Sequence, residues 1–246
     1  MSGAGFIAAD WPAPENIVAG TTRRIGGVSR GFYSDFNLGT HVADDPAAVA
    51  ANRLKLRVQI DLPGEPAWLR QVHGVNVVAA PFADPEPEAD ACIAVTPGIA
   101  CAVLTADCLP VLFASRQGDA VAAAHAGWRG LSAGVLEATI RAFSCAPEDL
   151  YAWLGPAISQ PAFEVGNEVR DQFLAHDPEA ACAFEPNSVG RWQADLYLLA
   201  KRRLQKAGVE GVYGGGCCTF TEQDAFFSYR RDGQCGRMAS LIFRRY

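Results

Sequence analysis

Histidine is scarce in this chain: 246 residues include four, His41, His73, His125 and His176, and no His-x-His pair. Nothing reads as an export signal, because MSGAGFIAADWPAPEN has no cationic flank and meets Asp10 before any long apolar stretch. Long apolar runs are missing too. The longest uncharged run of interest, Ala91 to Ala106, is broken by Thr96, Pro97 and Gly98 and reads as two strands around a turn, so no membrane partner is expected. No basic run exceeds three residues, and the net charge is −6 with a pI near 5.2. That argues against a nucleic-acid partner, though not against a local basic pocket for one anionic ligand. The eight cysteines contain no CxxC pair. Without an export signal no disulfide framework is expected, and at least six of the eight read as small buried hydrophobes in a reduced, cytoplasmic compartment.

What is present points to a packed globule. Half the residues are hydrophobic, a fifth are charged and the mean hydropathy is +0.05, which excludes disorder, collagen-like repeats and coiled coil. There is no internal repeat. Pro81 to Glu88 (PFADPEPE) is the nearest thing to a linker and reads as an exposed loop, so one domain spanning 1–246 is expected.

The opening third mixes short strands and turns, with turn signals at Gly26-Gly27 and Asn37-Leu38-Gly39. Asp45-Pro46 predicts a capped helix through about Val58. Residues 66–78 read as two short strands about His73-Gly74, and 91–95, 100–106 and 111–114 read as buried strands. The clearest unit is a strand at 121–125, a glycine-containing turn at 126–130 and a helix over 131–143 with Leu131, Val135, Leu136, Ile140 and Phe143 on its apolar face. Further helices are predicted over 164–175 and 194–207, the latter ended by Gly208, and strands over 226–230 and 239–244. Strands and helices interleave without a regular βαβ rhythm, which predicts an α/β protein with mixed sheets.

His73 and His125 stand in glycine-punctuated turns after apolar strands, QVHG and AHAGWRG, where functional side chains are commonly mounted. Cys108 stands apart in LTADCLPV. Together His73, Cys108 and His125 would make a His/Cys/His set with neutral imidazole and thiolate ligands for Zn²⁺, leaving a fourth position open to water or substrate. Such zinc would lower the water pKa to about 7. Their separations are too long to be a metal signature alone. Two readings compete: Cys108 as nucleophile with either histidine as base, or Cys108 as a core thiol with both histidines satisfied in turns. Asp107, next to Cys108, is a candidate for proton handling or for supporting a ligand.

Anion sites are expected where arginines gather on turns. Gly127-Trp128-Arg129-Gly130 leads into a helix, so its amides and Arg129 could hold phosphate. Arg230, Arg231 and Arg237 in SYRRDGQCGR form a second cluster and Arg23-Arg24 a third, each alone being more often a surface ion-pair partner. Asn37 joins the substrate-binding candidates. Gly214-Gly215-Gly216 lacks the strand–helix context of a nucleotide fingerprint and reads as a flexible turn. His176, among acids in AHDPEA, reads as a solvated surface residue; His41 stays unassigned.

The segments QVHG, ADACIAVTPGIACAVLTADCLPVLFA and VAAAHAGWRGLSAGV closely resemble the YfiH-type laccase-domain family. TTRRIGGVSRGFYSDFNLGTHVADD, WLGPAIS and FFSYRRDGQCGRMASLIF agree, so the resemblance runs from about residue 17 to 244. It departs in CCT at Cys217 to Thr219, which carries an extra cysteine, and in ADD where GDD is usual. The resemblance implies zinc held by His73, Cys108 and His125, and a layered α-β-β-α fold distantly similar to a cysteine-hydrolase toxin fold. Members have been labelled polyphenol oxidase, purine nucleoside phosphorylase and peptidoglycan editing factor. A full laccase copper set needs many histidines, several in His-x-His pairs, and cannot be built from four, although copper could occupy the His/Cys/His site.

The resemblance implies first a purine nucleoside enzyme, taking phosphate to cleave adenosine, inosine or methylthioadenosine and deaminating adenosine. The alternative is hydrolysis of a misincorporated amino acid from a UDP-muramoyl precursor, a nucleotide-sugar substrate whose diphosphate arginines would hold. A copper-dependent polyphenol oxidase and a non-catalytic zinc protein are weaker alternatives. The last would need a fourth ligand such as Cys217 or Cys218.

Overall fold

The computed structural model describes residues 5–62, 64–84 and 86–246. Strands β1 (Phe6–Ala8) and β2 (Ile17–Thr22) lead to helix α1 (Pro46–Gln59). That helix begins as its sequence dictates: the Asp45 carboxylate accepts from the Ala47 amide at 2.9 Å, and Pro46 takes the first helical position. β3 (Val77–Ala80), β4 (Ala91–Ala94), β5 (Cys101–Thr105), β6 (Leu109–Ser115) and β7 (Val121–Ala126) occupy the apolar stretches. Then come α2 (Trp128–Ala133), α3 (Val135–Arg141), β8 (Leu150–Leu154), β9 (Glu164–Val165), α4 (Asn167–His176), β10 (Phe184–Pro186) and β11 (Trp192–Ala194). α5 (Leu196–Lys206), β12 (Gly211–Gly214), α6 (Tyr229–Asp232) and β13 (Met238–Arg244) complete the chain.

Several expectations are corrected. The helix read over 131–143 starts earlier, at Trp128, and is cut in two by Gly134 at φ +104°. The helix read from 164 has a two-residue strand in its place before α4 starts at Asn167. Residues 226–230 are not a strand. Phe226 and Phe227 are buried anchors, and the Ser228 hydroxyl accepts from the Arg231 amide at 3.2 Å to start α6. Between 66 and 76 only isolated bridges form, Ala67 to Cys101 and Arg70 to Glu88. All eight cysteines are free, and four are buried where six were expected. Cys108, Cys145 and Cys217 lie half-buried on connections, and Cys182 is exposed in a surface turn. In the Pro81 to Glu88 loop, Pro85 lies outside the described residues.

The large sheet has the order β12-β8-β6-β7-β4-β3; a second has the order β1-β2-β13-β5, and a small one β10-β11-β9. β3/β4 and β8/β12 are parallel and the remaining neighbours antiparallel, so the large sheet is mixed. Alternation of side chains along each strand builds three apolar layers. Val111, Phe113, Ala122 and Ala124 face Leu131, Val135 and Leu136 of α2 and α3, and Leu199 of α5. Leu112, Ala114, Val121 and Ala123 face Cys101, Val103 and Ile242 of the second sheet. The far side of that sheet, Ala102, Leu104, Leu241 and Phe243, packs on Leu56 of α1. The result is the α-β-β-α order. Among the described residues no helix is long and apolar enough to cross a membrane.

Candidate metal centre

Strand pairing collects the candidate ligands at one end of the large sheet. β6 and β7 run antiparallel with Pro110 opposite His125, which sets Cys108, just before β6, beside the end of β7. β4 starts opposite that same end, Ala91 against Ala124, and its parallel neighbour β3 starts with it, Val77 against Ala91. The segments preceding β3 and β4, which carry His73 and Asp90, therefore arrive at the same edge.

The ligand atoms of His73, Cys108 and His125 lie within 4.8 Å of one another, and these three make up the group. The imidazoles meet edge-on, with ring centres 4.7 Å apart. Gly127 makes the closeness possible. A Cβ there would stand 2.8 Å from His73 Nδ1 and 3.1 Å from Cys108 Sγ. His73 and Asp107 have positive φ, +60° and +91°, which Asp and His adopt more readily than most side chains and which turns the chain sharply beside the cluster.

Asp90, which sequence reasoning passed over, organises the cluster. It is fully buried; its carboxylate accepts from the amides of Val72 at 3.2 Å, His73 at 2.9 Å and Gly74 at 2.6 Å. Oδ1 also accepts from His125 Nδ1–H at 2.8 Å, which leaves Nε2 as that ring's ligand atom. Burial works against charge on Asp90, but the His125 and amide hydrogen bonds prevail and hold its carboxyl below the usual range. Burial likewise opposes charge on His125, yet Cys108 and Asp90 together push its pKa up to about 9. For His73 burial and the neighbouring His125 lower the pKa, favouring the neutral, ligating imidazole. A signal was visible: Asp90 is an acid placed directly before the uncharged run beginning at Ala91.

The cluster opens into a cavity of about 750 Å³. Five arginines line it; Arg70 pairs with Glu88 at 3.0 Å, and the other four stand against aromatic rings: Arg53 on Trp68 at 4.1 Å, Arg129 on Trp128 at 4.4 Å, Arg230 on Phe163 at 5.4 Å and Arg237 near Tyr229 at 5.8 Å. Arg129, Arg230 and Arg237 are thus brought to one space, joined by Arg53 and His41, which sequence reasoning had not assigned. Burial first, then the charges of Arg237 and Arg53, lower the His41 pKa. His176 is exposed at the end of α4.

Other candidates have structural duties. Arg231 is not on the cavity wall: its guanidinium donates to the carbonyls of Thr219, Phe220 and Phe226 and pairs with Asp232 at 2.7 Å. Asn37 is fully buried, donating to Gly39 O and Asp44 and accepting from the Gly39 and Arg237 amides. Asp107 lines the cavity, but its carboxylate accepts from Thr219 Oγ1 and the Arg230 amide, both at 2.7 Å, tying the wall that carries Arg230 to the loop that carries Cys108. Cys218 Sγ accepts from Ser159 Oγ at 2.9 Å, and neither Cys217 nor Cys218 joins the ligand group.

Two imidazoles and one thiolate suit a borderline-soft divalent ion such as zinc, or copper, and three ligands leave a position open. The space denied to a Cβ at Gly127 and the Asp90 support of His125 fit such an ion as well.

Residues 18–245 match a family model described as multi-copper polyphenol oxidoreductase laccase. Over 241 residues the chain is 52% identical to the purine nucleoside phosphorylase YfiH of Escherichia coli (strain K12), covering 97% of this chain and 98% of that one. Among solved structures, protein NMB0706 of Neisseria meningitidis superposes with a TM-score of 0.94 at 55% identity, covering 98% of this chain and all of that one. YlmD from Geobacillus stearothermophilus does so with a TM-score of 0.94 at 31% identity, covering 100% and 98%. With its His/Cys/His cluster and its α-β-β-α layers, the chain belongs to the family of that model, the laccase-like domain family that includes YfiH.

Proposed function

We propose that this protein is a zinc-dependent purine nucleoside enzyme, cleaving adenosine, inosine and methylthioadenosine with phosphate and deaminating adenosine. The observation that carries the reading is an open His73/Cys108/His125 ligand group on the wall of a cavity lined with arginines and aromatic rings. The relatives named purine nucleoside phosphorylase support it. When bound there, zinc supplies Lewis acidity and lowers the pKa of water at its open position to about 7.

The chain's own residues supply the rest. Asp90 fixes the tautomer and direction of His125, so that Nε2 and Cys108 Sγ face the cavity together. Phe163, Trp128, Trp68 and Tyr229 offer flat apolar surface for a purine ring, and the guanidiniums beside them offer donors for its polar edge and for phosphate. Asp107 keeps the Arg230 wall in register with Cys108.

The test is product analysis of the zinc-loaded protein with adenosine, with and without phosphate, by chromatography. Adenine formed only with phosphate is the expected sign of phosphorolysis, and inosine in both conditions that of deamination. Cys108→Ser should lose metal and both products together. Absence of both products from the loaded wild type, or turnover that survives loss of the metal, would overturn the reading.

A further inference from the structure

The arginines on the cavity wall are not equivalent. Arg129 and Arg230 are exposed, and Arg230 spends a donor on Glu164 O at 3.1 Å. Arg53 has a side chain only 13% exposed, and its buried Nη2 has no hydrogen-bond partner. Its single acid neighbour among the described ion pairs, Glu86, stands at 3.8 Å, beyond hydrogen-bond distance. Arg53 as a residue lines the cavity, and a largely buried guanidinium there without a hydrogen-bonded carboxylate calls for an anion.

The frame around Arg53 is built. Leu38 joins two of the cations through its backbone, accepting from Arg53 Nε at 3.1 Å and donating to Arg237 O at 3.2 Å. Asn37, fully buried, accepts from the Arg237 amide at 2.8 Å, and its own carbonyl accepts from buried Asn52 at 2.9 Å, the residue beside Arg53. Gly39 has no room for a side chain, because the Arg237 stem lies 2.9 Å from where its Cβ would be. The chain then turns through Thr40–Val42, placing His41 on the same cavity within electrostatic reach of both arginines.

We propose that the end of the cavity walled by His41, Arg53 and Arg237 binds a phosphate group. Arg237 Nη1 donates to Cys235 O at 2.9 Å and Gly236 O at 3.0 Å, so it is the summed charge of two guanidiniums and an imidazole lining one cavity that favours a tetrahedral group of charge about −1.5 to −2 over a singly charged carboxylate. The group is either inorganic phosphate or the phosphate of a monoester ligand. The assignment deepens the phosphorolysis reading, but it is measured without turnover, so the two fail separately.

Equilibrium dialysis of the zinc-loaded protein against radiolabelled inorganic phosphate, and separately against a nucleoside monophosphate, tests it. Arg53→Gln is expected to raise the Kd of whichever ligand binds by about tenfold or more, with Arg53→Lys in between. Zinc content should stay as in the wild type. His41, whose side chain makes no hydrogen bond among the described residues, gives a second variant: His41→Gln should raise the Kd several-fold and serves if Arg53→Gln does not fold. Binding of inorganic phosphate alone identifies a free phosphate site, and binding of the monoester alone a phosphate carried by the ligand. The proposal falls if neither binds the wild type. It also falls if both variants keep their Kd, or if only Arg129→Ala or Arg230→Ala weakens binding.

Discussion

Asp90 shows how much a single buried acid can organise. Its two oxygens hold three successive amides of the His73 turn and the imidazole of His125, so two ligands from distant parts of the chain are positioned by one side chain. Asp90→Asn keeps the shape but replaces an acceptor-only carboxylate with an amide whose nitrogen must face donors. Zinc affinity is expected to fall by about 10–100-fold, the usual effect of losing such a partner, as read by competition with a chromophoric chelator. An unchanged affinity would show that the Asp90–His125 bond does not support the ligand set. Gly127 carries the complementary lesson. The turn AHAGWRG was legible as a functional place, but the need for glycine there comes from His73 and Cys108, which only the fold brings against it.

At the scale of elements, periodic apolar spacing told where helices lie and not where they break. Leu131, Val135, Leu136 and Ile140 all enter the same core, and their spacing runs through Gly134 without interruption. The break is decided by the Gly134 backbone at φ +104° and is secured by α5, whose Arg203 donates to Ser132 O at 3.1 Å and to Glu137 at 2.7 Å. A Cβ at Gly134 would meet nothing closer than 3.5 Å, so Gly134→Ala isolates the backbone cost. That cost is about 1–2 kcal/mol, and the melting temperature should drop by roughly 2–8 °C in thermal unfolding. An equal or higher melting temperature would mean that the left-handed residue is not constraining the helix pair. The segment at 226–230 failed for a related reason: FFSYR alternates like a strand, but Ser228 caps a helix and Arg231 gathers three carbonyls around it.

Across the whole molecule, most ion pairs lie on the surface, and the Asp177 network is the densest of them. Arg202 Nη2 stands 2.9 Å from both Asp177 and Glu179, and Lys206 Nζ 2.6 Å from Asp177, joining α5 to the end of α4. Lys206 first, then Arg202, hold the Asp177 pKa at about 2, below the ordinary 3.8. A depressed carboxylate pKa gives stability that is fully present above pH 3.8 and is lost as pH falls through 2. Asp177→Asn should therefore lower the melting temperature at neutral pH by at most a few degrees, about 2–4 °C, since exposed pairs are weak. It should also flatten the melting-temperature profile between pH 4 and pH 2. A profile that keeps the wild-type slope there would assign the acid sensitivity to other carboxylates.

The sequence by itself determined the class of fold, the strands of both main sheets from Ala91 to Ala126 and the capped helix at Pro46, while the three candidate ligands stood out as a set through the family resemblance. These are local matters: alternation, caps and the chemistry of single residues. Only the tertiary structure decided that His73, Cys108 and His125 meet, because strand register, not sequence distance, sets which chain ends share a sheet edge. It also decided which arginines face the cavity. Arg231 and Arg237 stand in one cluster of the sequence and both donate to backbone carbonyls, yet only Arg237 lines the cavity. Arg53, inconspicuous within an ordinary helix, becomes a buried cation because α1 packs its face against the loop of Asn37 and Leu38. Pattern along a chain reports the environment a residue needs; the partner that supplies it is fixed by packing.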